Sequence, residues 1–442
     1  MQRAASAPRG DCACAPQAPH SHRAECALTA SSPASLPAGS ATHQVGKWHA
    51  GMATPDHTPL GRGYDTSLLY FDAANGYWDQ LPEGGSWCPG LGELTDLWAS
   101  AAPAHGLNNS RLCSQQNQAP GCKYEDQLFA EHMVNQIAQH DARAGPFFGF
   151  AAWHNCHAPP EVPAAFLANF SAFIPVPARA MYAAKANYLD AQIGKVIAAL
   201  KAAGMYESTI VIAAADNGGP LGAANNWPLR GGKFSNWEGG VRVNAFVGGG
   251  AVPLARRGTA EAGFMTIADI YPTLCALAGA DPTDARAAAA GLPPVDGLNM
   301  WPLLSGATRV SPRTEVVLGD TDTGGQNGNT VVQGYINATS GLKVLAGEVW
   351  WSAWPGPQSP VADGPSMNTT VYCTPACLFD IIADPSERKD LAKERPDVVA
   401  AMLQRTAELT KAAFSPDRGR RNATLVCAAA ARYGGFLGPF LP

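Results

Sequence analysis

The sequence predicts an α/β protein with a mostly parallel central sheet covered by helices on both faces, and a smaller C-terminal α+β unit. Three observations lead there. Helical and strand-like patterns alternate along residues 41–310, as they do in sheets with helices on both faces. Two strand-like runs end in polar clusters, Trp153-His154-Asn155-Cys156-His157 and Asp216-Asn217. In such sheets, ligand groups collect beyond the carboxyl ends of the strands. Past residue 310 the pattern changes to short strand-like pieces with many Gly and Pro.

The elements follow in order. Residues 1–40 are Ala/Ser/Pro-rich without a period and read as an irregular, disordered or misassembled N-terminus. Leu128, Met133 and Ile137 recur at helical spacing within 123–141. Gly145-Pro146 ends that helix, and Phe147–Trp153 reads as a short buried strand. Residues 178–203 form a second helix, apolar at Met181, Tyr188, Val196 and Leu200 and stopped by Gly204. Ser208–Ala215 and Val241–Val247 are further strands, expected in the same single sheet as the rest of 45–310. The expected division is therefore 1–40, an α/β domain at 41–310, and an α+β subdomain at 311–442.

Composition excludes several classes. A 46% hydrophobic and 15% charged chain is globular rather than disordered. The net charge of −5 and the lack of a basic run argue against nucleic acid. Every apolar stretch is too short or too interrupted to span a bilayer. Eleven cysteines and five glycosylation triplets, at Asn108, Asn169, Asn337, Asn368 and Asn422, point to an oxidising secretory compartment, extracellular or lysosome-like. The first thirty residues nevertheless lack the apolar run of a signal peptide.

Four segments carry candidate chemistry. In Val45-Gly46-Lys47-Trp48-His49, Lys47 and His49 can point together at an anion, or belong to an ordinary loop. His157 follows a strand and precedes prolines, which suits a general acid; His154, three residues earlier, is a weak metal candidate because the segment is not helical. Asp216-Asn217-Gly218-Gly219 offers hard oxygen ligands for a calcium-like ion, or is a plain Asn-Gly turn. The loop Asn225–Arg242 crowds cations, aromatics and glycines around Lys233, which could sit over a bound anion.

Together these blocks resemble the sulfatase family, and most closely its arylsulfatase B (N-acetylgalactosamine-4-sulfatase) branch. Ala41–His49 looks like the family's second signature, and Arg62-Gly63-Tyr64-Asp65 resembles a step that follows it. Asp216–Gly219, Asn225–Lys233, Asp269–Leu274, Asp296-Gly297-Leu298 and Leu378–Ile381 with Asp384–Glu387 continue in the family's order. The resemblance implies an alkaline-phosphatase-like sandwich and hydrolysis of an aryl or sugar sulfate ester, with a sulfated small molecule or glycan as substrate. It implies that Asp216 and Asn217 bind Ca2+, and that Lys47 and Lys233 hold sulfate oxygens. His157 would contact sulfate and protonate the leaving alcohol, and His49 would help expel sulfate from the covalent intermediate.

The family's nucleophile is a formylglycine, made by the formylglycine-generating enzyme from Cys in a Cys-x-Pro-Ser-Arg run; an Asp-Asp pair completes the calcium shell. Neither run occurs in these 442 residues; Cys14 and Cys373 start the nearest matches and lack the Arg. The expectation is a sulfatase with an incomplete N-terminal portion, inactive as it stands. The alternatives are a non-catalytic sulfated-glycan-binding relative and a phosphatase or phosphodiesterase of the same superfold.

Overall fold

The computed structural model describes residues 39–83, 88–319, 332–356, 369–412 and 422–442. The irregular segment expected at 1–40 (but for its last two residues), Cys14 and Asn368 lie outside the described residues.

In chain order the strands are β1 (Ala41–Lys47), β2 (Thr66–Tyr70), β3 (Trp98–Ala99), β4 (Ala102–Pro103), β5 (Phe147–Ala152), β6 (Val211–Ala214), β7 (Ala245–Gly248), β8 (Glu315–Gly319), β9 (Val332–Asn337), β10 (Leu342–Val349) and β11 (Val371–Asp380). The helices are α1 (Glu125–Gln139), α2 (Ala164–Ser171), α3 (Pro177–Ala202), α4 (Glu238–Val241), α5 (Ile270–Ala278), α6 (Ala285–Ala289), α7 (Trp301–Leu304), α8 (Pro396–Ala412) and α9 (Ala423–Arg432).

β1 lies next to the edge of a five-stranded sheet ordered β4-β3-β2-β1-β5, pairing in parallel with both β2 and β5. Alternation along its strands builds two cores. Val45, Leu68 and Tyr70 face α1 and α3, meeting Leu128, Phe129, Met133 and Leu200. Leu69, Phe71, Phe148 and Phe150 face the other way, onto Val426 and Ala430 of α9. The last helix of the chain thus covers the first sheet. The disulfide Cys88–Cys427, across 339 residues, holds it there.

β1 carries Thr42, His43 and Gln44 in its buried stretch, and burial obliges these polar groups to find partners. The Asp65 carboxylate accepts from the Thr42 backbone at 2.8 Å and hydroxyl at 2.9 Å. His43 Nδ1 meets the Thr66 hydroxyl at 2.8 Å. At Gly46 (φ 91) a Cβ would stand 2.0 Å from the Ala152 carbonyl oxygen, so only glycine lets β1 lie this close to β5.

Three expectations need correction. The 45–310 region does not form one sheet: among the described residues β6 and β7 pair only with each other, antiparallel, as a two-stranded ribbon. Short apolar runs announce strands without naming their partners. Val241 belongs to the helical turn α4 rather than to a strand, which begins four residues later at Ala245. β5, expected to be buried, is an edge strand with only half-buried residues and an exposed Gly149.

The second sheet, ordered β11-β10-β9-β8, is antiparallel throughout. One face packs on Val399 and Met402 of α8; the other receives Trp237 from the loop around Lys233. At its base Lys343 is fully buried between Glu238 of α4 (2.9 Å) and Glu387 (2.8 Å), and Glu387 also accepts from the Glu238 backbone at 2.7 Å.

Candidate active site

The candidate residues gather at the carboxyl ends of β1, β5 and β6. Lys47 closes β1, His157 lies in the turn after β5, and Asp216 and Asn217 follow β6. Lys233 is tied to this corner because its backbone N–H donates to the Gly219 carbonyl at 3.1 Å. Close approach makes the tie possible: a Cβ on Gly232 would stand 2.5 Å from the same Gly219 oxygen.

Electrostatics brings four of these groups together. Burial lowers the Lys47 pKa, the Asp216 carboxylate opposes that shift, and Lys233 reinforces it. His157 is also lowered, by burial first and then by the positive charges of Lys233 and Lys47. Two ammonium groups thus act on one imidazole, while the Glu83 carboxylate opposes them. His157 Nδ1 donates to the Ala158 carbonyl at 3.1 Å, which leaves Nε2 as the nitrogen that takes up a proton. His49, exposed and left-handed (φ 47), stands just past β1.

The turn bearing His157 is clamped from beneath. The Asp126 carboxylate, at the start of α1, accepts from the backbone of His154 and Asn155, each at 3.0 Å. Tyr77 donates to the carbonyls of His154 (2.8 Å) and His157 (2.9 Å), and Tyr124 to the Asn155 side chain and the Glu161 carbonyl, both at 2.9 Å. His154 itself is consumed by this framework. Its Nε2 meets the Ala158 carbonyl at 3.2 Å and its Nδ1 meets Glu125 at 3.0 Å. Burial pushes His154 well below and Glu125 well above their ordinary values.

Sequence reasoning missed Asp72 and Glu83, carboxylates that act on Lys47, and Lys185, whose ammonium grips the His157 turn. Asp72 carries the signal used elsewhere, a polar residue ending an apolar run, Leu68-Leu69-Tyr70-Phe71. Lys185 carried none, since a lysine on a helix ordinarily means a solvated face.

These elements define an α/β protein whose strand ends present Lys47, His157 and Asp216, with Lys233 tied beside them. The sulfatase family model matches residues 37–280, and the chain belongs to the sulfatase family. It is 31% identical over 409 residues to mouse arylsulfatase J, covering 88% of this chain and 63% of that protein. Human arylsulfatase D is 27% identical, covering 63% of this chain and 45% of that one. The chain thus spans less than two thirds of the length of these curated relatives. The fold matches the alkaline-phosphatase-like one of the crystal structure of Ps i-CgsB in complex with k-i-k-neocarrahexaose. That match has a TM-score of 0.63 and 22% identity, covering 90% of this chain and 76% of the other.

Sulfatases use calcium and a formylglycine. Here Asp216 and Asn217 supply one charge and three side-chain oxygens, and the Asn217 amide is turned onto the Asp216 carboxylate at 2.7 Å. Calcium takes about six to eight oxygens. Among the described residues no three His, Cys, Asp or Glu side chains converge as a metal-holding group. The pair by itself does not fit the ion.

Proposed function

We propose that this chain carries the sulfate-gripping part of a sulfuric ester hydrolase of the arylsulfatase type, in the arylsulfatase B branch. The observation that carries the reading is the shared electrostatics of Lys47, Lys233 and His157 beside Asp216. Lys47 and Lys233 would neutralise the non-bridging sulfate oxygens, where charge persists through transfer. Burial and the same cations hold the His157 pKa below its ordinary value. A bound sulfate ester offsets them and returns a proton to His157 Nε2, ready for the departing alkoxide. His49, on the rim, would act on the released sulfate. The family match favours sulfate over the phosphate-ester alternative.

Asp216 and Asn217 would contribute to a calcium shell that other carboxylates complete, and the formylglycine-generating enzyme would act on a cysteine outside these 442 residues, which hold no Cys-x-Pro-x-Arg run. Turnover of 4-nitrocatechol sulfate by these residues alone is therefore expected to be negligible. Passage through the secretory pathway is supported by exposed triplets at Asn108, Asn169 and Asn422 and by the disulfides Cys88–Cys427, Cys113–Cys122 and Cys373–Cys377. The substrate is a sulfated small molecule or glycan.

Calorimetric titration with 4-nitrocatechol sulfate tests this reading. Binding should be clear for the parent chain and about tenfold or more weaker in Lys47→Ala and Lys233→Ala, the effect of losing a charge-assisted hydrogen bond. No binding, or binding unchanged in both variants, overturns it.

A further inference from the structure

Two asparagines stand side by side ahead of Lys233, and the fold gives them different partners. Asn225 accepts from the Trp227 N–H at 2.9 Å and so closes a local turn. The Asn226 side chain instead reaches across to the turn that follows β6. Its Oδ1 accepts from the Gly219 N–H at 3.0 Å, and its Nδ2 donates to the Gly219 carbonyl at 2.8 Å and to the Gly231 carbonyl at 3.0 Å. These partners fix the orientation of the amide, since a flipped one would set its oxygen against two carbonyls. A single side chain thus spends both its N–H donors and its oxygen on the backbones of two loops.

The backbones close tightly around it. The Lys233 N–H donates to the same Gly219 carbonyl that Asn226 holds. A Cβ on Gly219 would stand 2.0 Å from the Ala224 Cβ, and one on Gly232 would stand 2.7 Å from Asn226 Nδ2. Glycine at both places lets the loops meet on the amide. Asp216 lies just before Gly219 and Lys233 just after Gly231, and both charges act on Lys47. The seam therefore sets the spacing between the two halves of the site.

What the seam anchors is a strained turn. Lys233 and Phe234 are its central residues, and the Ser235 N–H closes it onto the Gly232 carbonyl at 3.1 Å. Phe234 is left-handed (φ 71), a conformation that costs a bulky residue energy and persists only where the surroundings enforce it. Loosening the base of such a turn lets it relax, and the Lys233 ammonium moves with it.

We propose that Asn226 is a positioning residue for sulfate ester hydrolysis, acting through Lys233 by holding its ammonium in place beside Lys47, His157 and Asp216. The proposal rests on the reading of Lys233 as a sulfate-binding cation.

The test is a double-mutant cycle of Asn226 and Lys233 in the 442-residue chain. It is read by the His157 imidazole pKa in the free protein and by calorimetric affinity for inorganic sulfate, both at constant ionic strength. Asn226→Ala alone should weaken sulfate binding about threefold to tenfold and raise the His157 pKa towards its value in Lys233→Ala. In the Lys233→Ala background the same substitution should change neither quantity. A side chain that served stability alone would lower affinity in both backgrounds and leave the His157 pKa where it was. Asn226→Ser, which keeps one hydroxyl donor, should fall between the parent and Asn226→Ala, and it carries the cycle if the alanine variant does not fold. Equal losses with and without Lys233, or no loss in the parent background, overturn the proposal and leave the sulfate reading standing. A parent chain that binds no sulfate overturns the sulfate reading itself, and this proposal with it.

Discussion

Lys185, buried in the middle of α3, donates hydrogen bonds to the carbonyl oxygens of His157 and of Pro159, the latter at 2.7 Å, while lying 4.2 Å above the Tyr77 ring. One ammonium thereby fixes the turn that aims His157. Burial lowers its pKa to about 8, against the opposing pull of Cys156, Asp126 and Glu161. Lys185→Met keeps the stem and removes the donors. We expect a loss of about 1–3 kcal/mol in urea unfolding, the cost of leaving buried acceptors unpaired. Sulfate affinity should weaken in parallel, because His157 is no longer held.

The Lys343 cluster makes a second, asymmetric prediction. One ammonium serves two carboxylates, and burial raises the Glu387 pKa against the pull of Lys343. Lys343→Met leaves two acidic groups facing each other and should cost about 3–5 kcal/mol. Glu387→Gln keeps one ion pair and should cost clearly less. Urea midpoints of the two variants check the order.

The amino ends of β1 and β2 hold a histidine cluster with a defined pH response. His132 Nε2 approaches the Thr66 hydroxyl at 3.4 Å, and the same hydroxyl meets His43. Burial, followed by the His43 charge, depresses the His132 pKa to about 4. The unfolded chain binds this proton near its ordinary pKa of about 6.5 and the folded one does not, so stability falls as the pH drops from there towards 4. At pH 5 the difference amounts to about 2 kcal/mol. Asp96 and Asp126, raised by burial to about 7 and about 6, oppose the trend in the intact protein. The readable quantity is therefore the difference between parent and His132→Gln: the variant should lose less stability between pH 7 and pH 5.

Removing the long disulfide should release the chain's end. Cys427→Ser frees α9 from the loop at Cys88, and exposes the Leu69, Phe71 and Phe150 face that α9 covers. A cost of about 2–5 kcal/mol is expected. Limited proteolysis should then cut within 422–442 before the remainder.

Parts of this architecture were legible in the sequence. Strand-like runs ending in polar residues pointed to His157 and Asp216, because strand ends and ligand groups coincide in such sheets. The helical period located α1 and α3 to within about two residues. What escaped concerns partners rather than elements. Nothing local states that β6 and β7 pair with each other, that α9 returns to the first sheet, or that Lys185 turns inward to cap carbonyls. Trp237 packs under the second sheet and Phe234 faces water, yet three residues apart in one loop they read alike.

The central claim is that Lys47, Lys233 and His157 share one anion site. NMR titration of the His157 imidazole tests it most directly, without sulfate and with saturating sulfate at constant ionic strength. The two cations should hold the free-state pKa below about 6.5, and bound sulfate should raise it by offsetting them. Lys233→Ala should raise the free-state value and diminish the response. A His157 pKa that sulfate leaves unmoved would contradict the shared site.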